Sequence, residues 1–90
     1  MKKKEKVTRI IDGDTFRTKS RTKHSVRLAG VNAPEKGTPG AKKATNELRK
    51  LIGDQKVEVK TVAHDTYGRT VAEVKVGGKS VNKIMKQRLK

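Results

Sequence analysis

The chain has 90 residues, with no cysteine or tryptophan and with Phe16 and Tyr67 as its only Phe and Tyr. Without cysteine, neither a disulfide framework nor a thiolate metal site can stabilise it, although a cysteine-free chain suits any compartment. Hydrophobic residues make up 31% of the sequence. No apolar run approaches the ~18 residues that predict a membrane-spanning helix. These absences predict one small domain with a thin core of Val, Ile and Leu.

The N-terminus is basic, but no apolar stretch follows it. Residues 1–4 resemble the start of a signal peptide, whereas the next residues have the composition of a strand. We therefore expect no signal peptide in this chain, so that the protein either stays inside the cell or is a mature form. We also expect a single domain over residues 1–90, with a flexible basic segment at residues 1–6.

The strongest compositional signal is positive charge. Lys and Arg number 24 and Asp and Glu number 9, which gives a formal net charge of +15. A surface of this kind attracts polyanions, and nucleic acid is the leading candidate. A membrane partner is not expected, because no helix shows a large apolar face flanked by lysine and aromatic residues. The alternative is that the lysines only keep the chain in solution.

Hydrophobic periodicity predicts five strands and two helices. A helix is expected after Thr38 as N-cap and Pro39 at the first helical position, ending at Gly53, and a short helix is expected after Ser80 as N-cap. The predicted strands cover about 7–12, 15–18, 25–30, 57–62 and 70–76.

This order predicts a β-barrel with helices, of the five-stranded OB-fold Greek-key type. The helix between strands three and four argues against an SH3-like barrel. Gly13 is expected to take a positive φ in a tight turn, and the alternation of Val26 and Leu28 directs Arg27 away from the core.

Three short motifs carry chemistry that a fold alone does not need: IDGDTF at 11–16, VRLAGVNAPE at 26–35 and DTYGRT at 65–70. They supply carboxylates and guanidiniums, a mixture that suits a hard cation beside a phosphodiester. Arginine binds two phosphate oxygens with its planar fork, and a carboxylate beside the cation can take a proton from an attacking water. The charged residues are Asp12, Asp14, Arg27, Glu35 and Arg69.

Each motif also has an ordinary structural interpretation. Asp12 and Asp14 flank a glycine, as in many structural turns, and Arg27 alone is a solvated charge. Tyr67 fits either a core position or a contact with a base or phosphate. His24 and His64 are expected to be surface residues, and His64 is not expected to be a metal ligand. The coincidence of all three motifs favours the functional interpretation.

In this order, the motifs resemble those of the staphylococcal nuclease-like (thermonuclease) family, from about Val7 to the last helix. The resemblance implies an OB barrel and calcium-dependent hydrolysis of DNA and RNA with low sequence preference, giving 3′-phosphorylated products. It also implies a monomer that acts on single-stranded DNA or RNA. Family members are often secreted or surface-associated, but the sequence leaves the location of this chain open.

Carried over by position, the resemblance makes Arg27 and Arg69 the phosphate-binding arginines and Glu35 the general base. It makes Asp14 a Ca²⁺ ligand, joined by Asn32 and the backbone carbonyl of Ala33. The wider set comprises Asp12 in the second coordination shell and Tyr67 and Thr66 at the nucleotide.

The chain departs from the family at two positions and in length. Asn32 replaces a ligand aspartate, which predicts weaker Ca²⁺ binding because affinity follows ligand charge. Thr66 replaces a common basic residue. The chain also stops where members continue into further helix and aromatic residues, so we expect a smaller core. These departures keep open a second hypothesis, an OB-fold nucleic-acid binder with little or no turnover.

Overall fold

The computed structural model describes residues 4–21, 23–34 and 37–89, and these form six strands and two helices. None of these helices is long and apolar enough to cross a membrane. The elements are β1 (Lys4–Asp12), β2 (Thr15–Thr18), β3 (Val26–Leu28), α1 (Ala41–Ile52), β4 (Lys56–His64), β5 (Thr70–Val76), β6 (Lys79–Ser80) and α2 (Val81–Arg88).

The strands close into a barrel. They follow the order β3-β2-β1-β4-β5-β6 through antiparallel neighbours, and β3 also pairs with β5 in parallel. In that closing pair Val26 lies opposite Thr70, and Arg27 lies opposite Val71. The closed ring, with α1 between β3 and β4, confirms the predicted OB-type barrel.

The core is small and aliphatic, as the composition predicts. Phe16 is fully buried at its centre, and one face of α1 covers the barrel with Ala44, Leu48 and Ile52. Met85 of α2 packs in the same buried core. Burying this apolar surface is the main stabilising contribution for a domain of this size.

The barrel begins earlier than the sequence predicts. The first three described residues, Lys4–Lys6, belong to the segment expected to be flexible, and they pair with Lys56–Glu58 of β4. Residues 1–3 lie outside the described residues. A strand was expected at 25–30, but β3 is only three residues long. The sequence does not predict β6, which has only two residues.

Helix α1 begins at Ala41, two residues after the predicted start at Pro39. Gly40 takes φ 90° and ψ −15°, and the Ala41 N–H donates to the Thr38 carbonyl at 3.2 Å. Proline followed by a left-handed glycine is typical of a type II turn. The Pro39-Gly40 pair therefore forms that turn instead of the first helical turn. The predicted caps at Gly53 and Ser80 are confirmed.

Gly13 is required for close packing and not for a positive φ, because its φ is not positive. A Cβ at this position would lie 2.5 Å from the Cβ of Ala44 and 2.9 Å from the Cβ of Ala33. Only glycine allows α1 and the segment around Ala33 to approach the turn between β1 and β2 this closely.

One buried side chain ties α2 to the barrel. Asn82 is 7% exposed, and its amide donates to the carbonyls of Ala29 and Ala72 at 2.9 and 3.0 Å. Its oxygen accepts from the Val74 N–H at 2.8 Å. Asn82 thus fixes the turn after β3 against β5, where the barrel closes.

We expect Asn82→Ala to lower the free energy of unfolding by about 2–3 kcal/mol, because the Val74 N–H and the Ala29 carbonyl lose this partner, while the Ala72 carbonyl keeps only the Ala29 N–H. The matched control is Asn46→Ala on the exposed side of α1, which should change it by less than about 0.5 kcal/mol. Urea unfolding of the two variants measures the difference. Equal stabilities would show that the three hydrogen bonds do not hold the closing strands.

Candidate functional site

The first part of the site is the turn between β1 and β2, which places two carboxylates together. Asp14 is 8% exposed. Its Oδ1 accepts from the Thr15 hydroxyl at 2.9 Å, and its Oδ2 accepts from the Ala33 N–H at 3.3 Å. Asp12 Oδ1 accepts from the backbone N–H of Asp14 at 3.1 Å, a local bond typical of aspartate before glycine.

The pKa values of the two carboxylates are shifted in opposite directions. Burial raises the pKa of Asp14 most, followed by its hydrogen bond with Asp12. Hydrogen bonds from Thr15 and Ala33 oppose this rise, and the negative charge of Asp12 adds a smaller increase. Burial alone would raise the pKa of Asp12 too. Hydrogen bonds with Asp14 and Thr15, together with the charge of Arg69, outweigh it, so that this pKa is lowered. Arg69 is therefore close enough for its charge to act on Asp12.

Arg27 joins the same cluster from β3. Its Nη2 donates to the Val31 carbonyl at 3.3 Å and to Asn32 Oδ1 at 3.1 Å. The same nitrogen lies 3.6 Å from Asp14 Oδ2. The side chain thus points away from the apolar core, as the alternation predicts. Its partners hold the guanidinium beside Asp14.

The segment after β3 brings two predicted ligands to the cluster. The backbone of Ala33 binds Asp14 through its N–H, and Asn32 is exposed with its amide oxygen on Arg27. The predicted general base, Glu35, lies outside the described residues.

Arg69 lies on a separate turn between β4 and β5 and is held there by Asp65. Its Nε donates to Asp65 Oδ2 at 2.5 Å, and its backbone N–H donates to Asp65 Oδ1 at 2.9 Å. The Tyr67 N–H donates to the same Oδ1 at 3.0 Å. Burial alone would raise the pKa of Asp65, but these bonds from Arg69 and Tyr67 outweigh it and lower the pKa.

The aromatic ring of the site points to solvent. Tyr67 is 83% exposed, so the core interpretation of this residue is wrong. The Arg69 guanidinium lies 5.5 Å from the ring centroid, within range of a cation–π contact. Thr66 is exposed in the same turn.

The donors in this cluster are all oxygen atoms, as a hard cation requires. They are two carboxylates, at Asp12 and Asp14, and the amide oxygen of Asn32. Across residues 4–21, 23–34 and 37–89, no group of three or more His, Cys, Asp or Glu is placed to hold a metal ion. These oxygen atoms are of the kind that a hard cation binds, but the described residues alone do not complete a metal site.

Comparison with known sequences decides the family. Residues 25–88 match the family described as Staphylococcal nuclease homologue. The chain belongs to this family. The match includes β3, both site arginines and both helices.

Several curated relatives are similar over most of this chain. It is 41% identical over 69 residues to the micrococcal nuclease of Shigella flexneri, covering 76% of this chain and 40% of the relative. It is 33% identical over 82 residues to an uncharacterized endonuclease of Escherichia coli O157:H7, a match that covers 89% of this chain and 54% of the relative. The staphylococcal-like nuclease CAN1 of Arabidopsis thaliana is 35% identical over 63 residues, which cover 70% of this chain and 20% of the relative. This chain therefore spans between a fifth and about half of these relatives.

Sequence reasoning missed two residues that position the site. Thr15 orients Asp14, and Asp65 holds both the backbone and the guanidinium of Arg69. Asp65 could have been recognised from its place at the start of a turn, because aspartate there binds backbone N–H groups two or more residues on. For Thr15 no local signal exists, because its role depends on the burial of Asp14.

We expect Arg69→Ala to raise the pKa of Asp65 and also that of Asp12, because both carboxylates lose a positive charge that favours their ionised form. Carboxyl carbon shifts followed by NMR across a pH titration measure both values. Arg88→Ala, which removes an arginine paired with Glu47, is the matched control and should move neither. If Asp12 keeps its pKa in Arg69→Ala, the two halves of the site are not electrostatically connected.

Proposed function

We propose that this protein is a calcium-dependent nuclease that hydrolyses phosphodiester bonds of single-stranded DNA or RNA as a monomer. The observation that supports this most directly is the cluster of Arg27 on Asp14 and Asn32, with the charge of Arg69 acting on the neighbouring Asp12. Family membership and relatives named as nucleases support the same reaction.

The two arginines bind the phosphate that is cleaved. Arg27 lies on β3 and Arg69 on the β4–β5 turn, and an acid orients each of them, Asp14 at 3.6 Å and Asp65 at 2.5 Å. Positioned guanidiniums stabilise the negative charge that develops on the phosphoryl oxygens. Because contacts to phosphate carry no base information, low sequence preference follows.

The proposed protein ligands of Ca²⁺ are Asp14, Asn32 and the carbonyl of Ala33. Asp12 supports them without binding the ion directly, through its hydrogen bond to the Asp14 backbone. When bound, this cation supplies positive charge beside the phosphate and holds water near it. Glu35 is the proposed general base that takes a proton from the attacking water. Attack with loss of the 5′-oxygen gives 3′-phosphorylated products, the outcome that the family resemblance implies.

A binding domain with little turnover is the second candidate. It is favoured by the small number of carboxylates in the described site and by Asn32, whose amide oxygen binds Arg27. Tyr67, exposed beside Arg69, serves this function equally well, because bases stack on exposed rings.

We expect the protein to cleave single-stranded DNA in Ca²⁺ and not in EGTA. Glu35→Gln and Arg69→Ala should each lower the rate by about a hundredfold or more, since one removes the proton acceptor and the other a phosphate-binding charge. Gel analysis of an end-labelled oligonucleotide measures the rate.

The matched controls for that assay are Glu58→Gln and Arg88→Ala, which make the same chemical changes on β4 and at the end of α2. Both should cleave at close to the unmodified rate. Binding without cleavage in any divalent ion would reject the nuclease and leave the binding domain.

We expect Asn32→Asp to tighten Ca²⁺ binding by about tenfold and to raise the cleavage rate at low Ca²⁺, because it adds a carboxylate to the donor set. Isothermal titration calorimetry measures the affinity. Asn46→Asp, on the exposed side of α1, adds the same charge elsewhere and should leave it unchanged. An Asn32→Asp variant with unaltered affinity would place residue 32 outside the metal ligands.

A further inference from the structure

A pocket lined by polar side chains lies beside the turn that carries Arg69. It has a volume of about 310 Å³ and lies between the loop that follows β2 and the β4–β5 turn. Its lining residues are Ser20, Arg21, Lys23, His24, His64 and Thr70.

The barrel closure brings the two histidines of the chain to this pocket. His64 on β4 lies opposite Thr70 on β5. The Thr70 N–H donates at 2.9 Å to the carbonyl of Ser25, the residue after His24. Thr70 therefore lies between His64 of β4 and the loop that carries His24.

The pocket lies next to the turn that carries Arg69. A Cβ on Gly68 would lie 3.3 Å from Nδ1 of His24, so this imidazole packs against the Tyr67–Arg69 turn. Arg69 directly precedes Thr70 in the chain. The pocket therefore lies close to Arg69 along the chain, with Thr70 after it and His64 before its partner Asp65.

The charge of the pocket suits an anion. Glu5 on β1 is the acid beside it, and its carboxylate accepts from Ser20 at 3.0 Å and from Arg21 Nε at 2.8 Å. Asp65, next to His64, is bound to Arg69. Among the described residues, Lys23 and the two histidines form no ion pair with a carboxylate. Lysine and imidazole N–H groups can both donate to phosphate oxygens.

We propose that this pocket, the His24–His64 pocket, binds the phosphate next to the one held by Arg27 and Arg69 in a single-stranded nucleic acid. The proposal rests on the proposed function, because it needs a strand bound at Arg69. The pocket extends the contact by one nucleotide and adds affinity without base recognition.

The test uses the chain without a histidine tag, in EGTA, so that binding is measured without cleavage. The probes are octathymidylate, which can reach both sites, and the thymidine dinucleotide, whose one phosphate can occupy only one of them. NMR follows the imidazole protons of the two histidines and the Nε–H of Arg69 during each titration. We expect the octamer to shift His24, His64 and Arg69 together, and the dinucleotide to shift Arg69.

Affinity provides the second measurement. Lys23→Ala/His24→Gln/His64→Gln should bind the octamer about fivefold to tenfold more weakly while binding the dinucleotide within about twofold of the unmodified chain. Lys50→Ala on α1 is the control for the lost lysine charge, and it should bind the octamer within about twofold.

The outcomes separate this proposal from the proposed function. If the octamer shifts Arg69 but neither histidine, or if the triple variant binds it as Lys50→Ala does, the pocket is not a phosphate site and the nuclease proposal is unaffected. If the octamer shifts none of the three, the pocket proposal fails, and the cleavage assay in Ca²⁺ alone decides the nuclease proposal. If the histidines respond and the octamer affinity falls as expected while no cleavage occurs in Ca²⁺, the pocket is supported and the nuclease is rejected.

Discussion

The parallel pairing of β3 with β5 is the constraint on which the site depends. It sets Val26 opposite Thr70 and Arg27 opposite Val71, so that two arginines far apart in sequence reach the same end of the barrel. Asn82 reinforces the closure by binding both Ala29 and Ala72. Because parallel pairs need long connections, β3 and β5 meet only when the chain between them has folded. A chain with an open barrel would therefore have its arginines but no site.

Acidic residues hold the site together in a strongly basic chain. Asp14 lies against Arg27 and Asp65 binds Arg69, while Glu5 fixes the loop that follows β2 through Arg21. Surface ion pairs contribute little to stability. Their consequence here is orientation, because each of these guanidiniums is fixed by a carboxylate. With only nine acids in the sequence, three of them are used in this way.

The sequence predicts the fold well, because the strands alternate, α1 has clear helical spacing and the element order admits few barrels. It predicts less well where local rules compete. Pro39 suits both a helix start and a type II turn, and the left-handed Gly40 that decides between them is visible only in the structure. Gly13 suits a positive φ, but its packing against Ala44 is a tertiary contact. The motifs predict Arg27 and Arg69, whereas the approach of His24 to His64 depends on barrel closure.

The exposed ring of Tyr67 has a consequence for spectroscopy. The chain has no tryptophan and no other tyrosine, so its near-ultraviolet absorption and intrinsic emission come almost entirely from this ring. The ring is exposed and lies 5.5 Å from the Arg69 guanidinium. Its fluorescence therefore reports on the site turn and is nearly blind to the core. A binding event at Arg69 can be observed without any label, whereas unfolding has to be followed by circular dichroism or NMR.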